Sequence, residues 1–268
     1  MRTVRLLRDL GGRWVQAVRP THPDVSASLA ARWAELPDVA KTPAQMLGRR
    51  FAGCEGTHGV VPRCNLACTP CYHSRDANHV RIDADHTLEQ IASQMTYLRA
   101  RRGPGQHAQL IGGEVTLLGP SAHASALELM QRHGRKPMSM SHGDFDDDYL
   151  AALAVDPATG RRRFDHLSFA VHIDSTMVGR RGVRRPQSET ELDPTRKRVA
   201  GMFRTLREQH GVRSFLAHNM TVTPRNVDEV AGVVRVCRDA GFRMCSFQPA
   251  AEIGDTRRWT TDRQVVTD

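Results

Sequence analysis

The sequence predicts an α/β fold, with short strands alternating with amphipathic helices around a parallel sheet, behind a short helical leader. Three observations lead there. Six short apolar or β-branched runs recur between residues 57 and 250; the segments between them carry apolar residues three and four positions apart; and caps and glycines bracket those segments. The chain has 268 residues, 40% of them hydrophobic, enough to bury a full core. One principal domain is expected at 57–268, with residues 1–56 as a leader or lid.

In chain order, Asp24 reads as the cap of a leader helix with Leu29, Trp33 and Leu36 on one face, ended by Pro37. Strands are expected near 57–63, 108–111, 137–141, 166–172, 214–222 and 243–247. Thr87-Leu88-Glu89-Gln90 has the form of a capping box, after which Leu88, Ile91, Met95 and Leu98 share a face. Asp146, Asp147 and Asp148 suit a helix N-terminus better than a metal site. Asp193-Pro194 opens a helix with Val199, Met202, Phe203 and Leu206 toward the core and Gly211 at its end. Asn226 with Glu229 repeats the capping box, ahead of Val227, Val230, Val233 and Val234 and closed by Gly241.

Net charge is +9, which permits an anionic substrate or partner without requiring one. The arginines fall in short runs, at 161–163, Arg180-Arg181, Arg184-Arg185 and Arg196-Lys197-Arg198, and these read as solvated faces. Only 5% of residues are aromatic, so base-stacking surface is scarce and nucleic acid is a disfavoured partner. The first ten residues hold no apolar run of signal-peptide or membrane length, and no transmembrane segment is expected. Six cysteines are too few for a disulfide scaffold. Three of them lie within eight residues, which points to metal binding in a reducing compartment, the cytoplasm.

Those three are Cys64, Cys68 and Cys71, spaced C-x3-C-x2-C on a loop leaving the first strand. A 4Fe-4S cluster takes four ligands, so three thiolates leave one iron open to a small molecule. Structural zinc would need a fourth donor, for which His73 is the convenient candidate. A noncatalytic iron-sulfur or zinc-binding module is therefore the rival reading.

With Tyr72 as the aromatic residue after the last cysteine, the motif resembles that of the radical S-adenosylmethionine (SAM) superfamily. Leu110-Ile111-Gly112-Gly113-Glu114 resembles the same family's G-G-E segment, with Val115 where proline is usual. The resemblance implies a partial (β/α)6 barrel of the radical-SAM type, with the ligands at the C-terminal ends of the strands. It implies a 4Fe-4S cluster on Cys64, Cys68 and Cys71, and SAM bound near Tyr72, Gly112, Gly113 and Glu114, the carboxylate pairing with the methionine ammonium. It further implies reductive cleavage of SAM to a 5'-deoxyadenosyl radical, with a low-potential donor of flavodoxin or ferredoxin type supplying the electron. The substrate, unidentified, would be a peptide, a cofactor precursor or a lipid.

Other sites follow the resemblance more loosely. Asp174 and Ser175, at the fourth strand end, are candidates for the SAM ribose, and Asn219 for the adenosine. His142, His172 and Gln248 are substrate-side candidates. Asn226 reads as an N-cap. Cys237 and Cys245 read as small buried residues, no further cysteine group supports a second cluster, and Cys54 is a candidate for approaching the first.

Overall fold

The computed structural model describes residues 27, 30, 31, 33–41, 55–102, 107–250 and 257. Its strands are β1 (Glu55–Gly56), β2 (Ala67–Cys68), β3 (His107–Leu110), β4 (Lys136–Ser141), β5 (His166–His172), β6 (Met177–Val178), β7 (Arg213–Val222) and β8 (Met244–Pro249). The helices between them are α1 (Ala84–Arg102), α2 (Pro120–Arg132), α3 (Asp147–Ala154), α4 (Asp193–His210) and α5 (Val230–Ala240). Six strands form one sheet in the order β1-β3-β4-β5-β7-β8, with every neighbouring pair parallel. Each crossover between these strands carries a helix, so the sheet is a parallel half-barrel in a mixed α/β fold. β2 and β6 stand apart as a two-stranded antiparallel ribbon.

The core lies between sheet and helices. Ile91 and Met95 of α1, Leu127 and Met130 of α2, Leu150 and Leu153 of α3, and Val199, Met202, Phe203 and Leu206 of α4 are all buried. Each such side chain contributes roughly 1.5–3 kcal/mol on burial. Phe169 of β5 anchors an aromatic group, with ring centroids 5.2 Å from Phe203 and 5.7 Å from Phe145.

α4 has the expected proline in its first turn and Gly211 left-handed at φ +68°, but Asp193 is its first residue and not its cap, which is Leu192 without a side-chain bond. Asp146 caps α3 by accepting Tyr149 N at 2.9 Å, and Gly241 ends α5 left-handed, whereas the two expected capping boxes differ. Asp83, not Thr87, starts α1, its carboxylate accepting from His86 N at 3.0 Å, while Thr87 sits inside the first turn and donates its hydroxyl to Val60 O. Asn226 makes no capping bond; its Oδ1 takes Thr223 N at 2.8 Å. Glu229 turns outward from its own helix to accept Glu189 N and Thr190 N. Backbone outside the helix claims each of these side chains, distant in sequence for Thr87 and Glu229 and three residues away for Asn226. Val227 and Val234 are correspondingly exposed, and Val233 alone of that valine set is fully buried.

The first strand is shorter and earlier than the expected 57–63. After Gly56 the hydroxyl of Thr57 replaces the ladder, donating to Ile111 O at 2.8 Å and accepting from Ile111 N at 3.0 Å. The chain then leaves the sheet through Gly59, at φ +71°, and reaches the cysteine loop as irregular backbone. In the leader, residues 33–35 are helical and the helix ends before Pro37; Asp24, Leu29 and Cys54 lie outside the described residues. No described helix is long and apolar enough to cross a membrane.

Candidate functional site

Residues 64–72 form a loop over the C-terminal mouth of the sheet, and three attachments position it. β2 pairs with β6, matching Cys68 with Met177, and Thr69 N donates to Thr176 O at 3.0 Å. Cys64 N donates to Asn78 Oδ1 at 3.0 Å. Tyr72 OH donates to Gly112 O at 3.4 Å.

The three thiols are near enough to act on one another electrostatically. Burial pushes the Cys68 thiol well above its usual range, and the neighbouring Cys71 and Cys64 push it further. Burial, then Cys71 and Cys64, also hold the Tyr72 phenol up at about 12, so it stays a hydrogen-bond donor at neutral pH. Two features favour thiolate instead. Leu66 N donates to Cys64 Sγ at 3.4 Å, and the guanidinium of Arg180 acts on Cys68 with the opposite sign from its neighbours. Three thiols on one loop, a backbone N–H on one of them and a nearby buried cation are a donor set suited to a thiolate-bound metal group.

Gly112 and Gly113 allow a close approach of backbone to backbone. A Cβ at Gly112 would collide with Val61 O, and one at Gly113 with Arg63 O and the adjoining backbone. Without side chains, the turn after β3 docks on the strand of chain entering the cysteine loop, through Gly113 N to Val61 O at 2.6 Å and Glu114 N to Arg63 O at 2.9 Å. The glycines therefore set the height of Cys64 over the sheet.

Glu114 is buried at the ends of β3 and β4. Its Oε1 accepts from Thr116 N, Thr116 Oγ1 and Ser141 Oγ, at 2.7–3.0 Å, and its Oε2 accepts from His142 N at 2.8 Å. His142 Nδ1 accepts from Asp144 N, which places the ring proton on Nε2. That proton points to Asn65 Oδ1 at 2.7 Å, with Glu114 Oε2 at 3.2 Å the longer alternative. Burial lowers the His142 pKa, so the ring is a neutral link between Glu114 and the cysteine loop. The ring is buried.

Asp174, wholly buried beyond β5, accepts from Thr176 N, Thr221 N and, at 2.6 Å, His172 Nε2. Burial would raise its carboxyl, but His172 and these hydrogen bonds outweigh that and hold it well below the usual range. Ser175 is more open. With Thr176, Arg185, Gln187, Thr223 and Arg225 it lines a cavity of about 150 Å³. His172 and Asn219 are register partners and so face the same side of the sheet, with Ser246 beside them on β8. Gln248 is exposed near the end of β8.

The largest correction concerns the arginines. Arg180 and Arg196, read from the sequence as solvated, are both fully buried. Arg180 donates to His142 O at 2.7 Å and His172 O at 3.1 Å, tying together the ends of β4 and β5 beneath the cysteine loop. Arg196 pairs with Glu189, whose other oxygen holds Ser175 N and Asn226 Nδ2. Apart from Asp193, one turn before Arg196 in α4, the partners of Arg196 lie outside its helix and those of Arg180 include strand ends far along the chain, so the sequence carries little local signal for either role.

No family model matches the chain, and no curated protein does. Solved structures do match. Native anSMEcpe with bound AdoMet and Cp18Cys peptide is 17% identical, at a TM-score of 0.49, over 74% of this chain and 51% of that one. A histidine-tagged anSMEcpe with bound AdoMet is 18% identical at 0.47, over 73% and 50%. An archaeal TYW1 is 12% identical at 0.37, over 65% and 58%. The chain thus spans about half the length of the two anSMEcpe structures.

Proposed function

We propose that the chain is a radical SAM enzyme in which Cys64, Cys68 and Cys71 hold a 4Fe-4S cluster and the strand ends beneath them receive SAM. The observation that carries this reading is the three-thiol loop docked on Gly112-Gly113-Glu114 over the C-terminal mouth of a parallel half-barrel. When bound, the cluster supplies one electron to the carbon-sulfur bond of SAM, yielding methionine and a 5'-deoxyadenosyl radical that takes a hydrogen atom from substrate.

The chain's own groups divide the remaining work. Glu114 Oε2 accepts one short bond and one long one, so a methionine ammonium can take the long bond's place while His142 keeps Asn65. Asp174, already engaged on both oxygens, orients His172 and the 174–178 segment, which leaves Ser175 as the group offered to a ribose hydroxyl. Asn219, from the same face, is the adenosine-side candidate. Tyr72 closes the loop onto Gly112. The electron comes from a low-potential flavodoxin or ferredoxin. The substrate is a peptide, a cofactor precursor or a lipid, and His172 and Gln248 are the residues offered to it.

Anaerobic reconstitution with iron and sulfide, followed by SAM and dithionite, tests the proposal. The expected result is a brown protein that forms 5'-deoxyadenosine and methionine, an activity lost in Cys68→Ala. A colourless protein that binds no SAM would overturn it.

A further inference from the structure

We propose that His218, Cys237 and Cys245 form a second metal site, on the helix-facing side of the sheet, for a single thiophilic d10 ion of the Zn²⁺ class. Nothing in this inference depends on the cluster reading, since it uses different residues on a different face.

Topology assembles the three donors. His218 on β7 and Cys245 on β8 are register partners, so their side chains leave the same face of the sheet. That face is the one opposite His172 and Asn219, because His218 and Asn219 are consecutive. α5 packs over it and brings Cys237 in from above, fully buried. The ligand atoms of the three residues lie within 4.8 Å of one another, the sole such group of three among the described residues. Both cysteines are free thiols.

The histidine supplies the independent observation. His218 is wholly buried, yet its Nδ1 has no hydrogen-bond partner. Its Nε2 lies between Ile173 O, an acceptor at 3.0 Å, and Arg196 Nε, a donor at 3.2 Å; with the ring proton on the shorter contact, to Ile173 O, Nδ1 is a bare lone pair. A buried acceptor without a donor costs about 1–3 kcal/mol, and a native fold does not ordinarily leave one so. An ion between Nδ1 and the two sulfurs would satisfy it. The Nε2–H bond to a backbone carbonyl is the outer contact that metal-bound imidazoles ordinarily make.

The donor chemistry agrees. Zinc takes sulfur at roughly 2.3 Å and imidazole nitrogen at roughly 2.0–2.1 Å, so tetrahedral donors stand roughly 3.4–3.8 Å apart. Closing from the observed spacing requires side-chain rotation of about an ångström. Two thiolates neutralise the dication, and one coordination position is left for water.

The test uses the full chain with Cys64→Ser, Cys68→Ser and Cys71→Ser, so that nothing bound belongs to the loop. After equilibration with Zn²⁺ and desalting, the expected result is one zinc per chain. Co²⁺ in its place should give the intense visible bands and thiolate charge-transfer absorption of a tetrahedral site. Adding Cys237→Ser should weaken retention by roughly tenfold or more, with an unchanged circular dichroism spectrum showing that the fold persists. In the unsubstituted chain, Zn²⁺ should protect Cys237 and Cys245 from alkylation, read by mass spectrometry. Substoichiometric zinc in the triple variant, retention indifferent to Cys237→Ser, or alkylation of both thiols at the same rate with and without Zn²⁺ would each overturn the proposal.

Discussion

Gly113→Ala is a one-carbon perturbation whose effect follows from the docking of the β3 turn on the cysteine loop. The added methyl would meet Arg63 O, Arg63 C and Pro62 O, all backbone atoms that cannot rotate away. Relief requires the 61–63 segment to move, which breaks the bonds from Gly113 N to Val61 O and from Glu114 N to Arg63 O. Two backbone hydrogen bonds are worth about 1 kcal/mol each, and overpacking a close contact costs about 1–3 kcal/mol. The sum is about 3–5 kcal/mol, a large share of the stability of an ordinary domain. Gly201→Ala is the matched control. It lies inside α4 with only the far end of Arg204 near, 3.9 Å away, and should stabilise by about 0.5–1 kcal/mol. Urea denaturation of the metal-free proteins reads both effects, and iron content after anaerobic reconstitution reads whether Cys64 has left its place. Equal stability and full iron loading in Gly113→Ala would refute the docking argument.

Glu114→Gln should lower SAM affinity in equilibrium dialysis while iron content is retained, because one amide NH2 must face donors such as His142 N or Ser141 Oγ; unchanged affinity would remove Glu114 from the SAM site. Burial lowers the His123 pKa to about 4, against some opposition from Glu114, so the unfolded chain binds a proton below about pH 6.5 that the folded chain refuses. Stability should therefore be fully present above that pH and fall by about 1.4 kcal/mol per unit below it, to a loss of about 3 kcal/mol near pH 4; urea midpoints across pH should show a shallower slope in His123→Asn. Arg196→Leu leaves Glu189 buried without its cation and should cost about 3–5 kcal/mol, partly recovered by adding Glu189→Gln. A melting temperature unchanged in the single variant would show that the pair is not buried in solution.

What the sequence made legible is what local chemistry decides. The face of α4 from Val199 to Leu206 and its Gly211 stop follow from helical period and a left-handed cap alone. The cysteine spacing and Gly112-Gly113-Glu114 were readable because each is a contiguous motif, although the reason for the glycines was not, since Val61 and Arg63 approach from another part of the chain. Thr87 and Asn226 fit the pattern of caps and are otherwise employed, because a hydroxyl or amide serves the nearest unsatisfied backbone group, whichever element that belongs to. Arg180 and Arg196 were unreadable for a related reason. A guanidinium is solvated by default, and only the assembled fold supplies the carbonyls and carboxylate that allow it inside. Cys237 and Cys245 looked inert until the β7–β8 register set His218 beside them.

The ribbon that pairs Cys68 with Met177 joins positions more than a hundred residues apart. A nascent or truncated chain ending before β6 would carry all three loop thiols and lack the strand that arranges them. Metal capture at the loop should accordingly come late, after the first four strands of the half-barrel have assembled, and the isolated 57–80 peptide should make a poor mimic of the site.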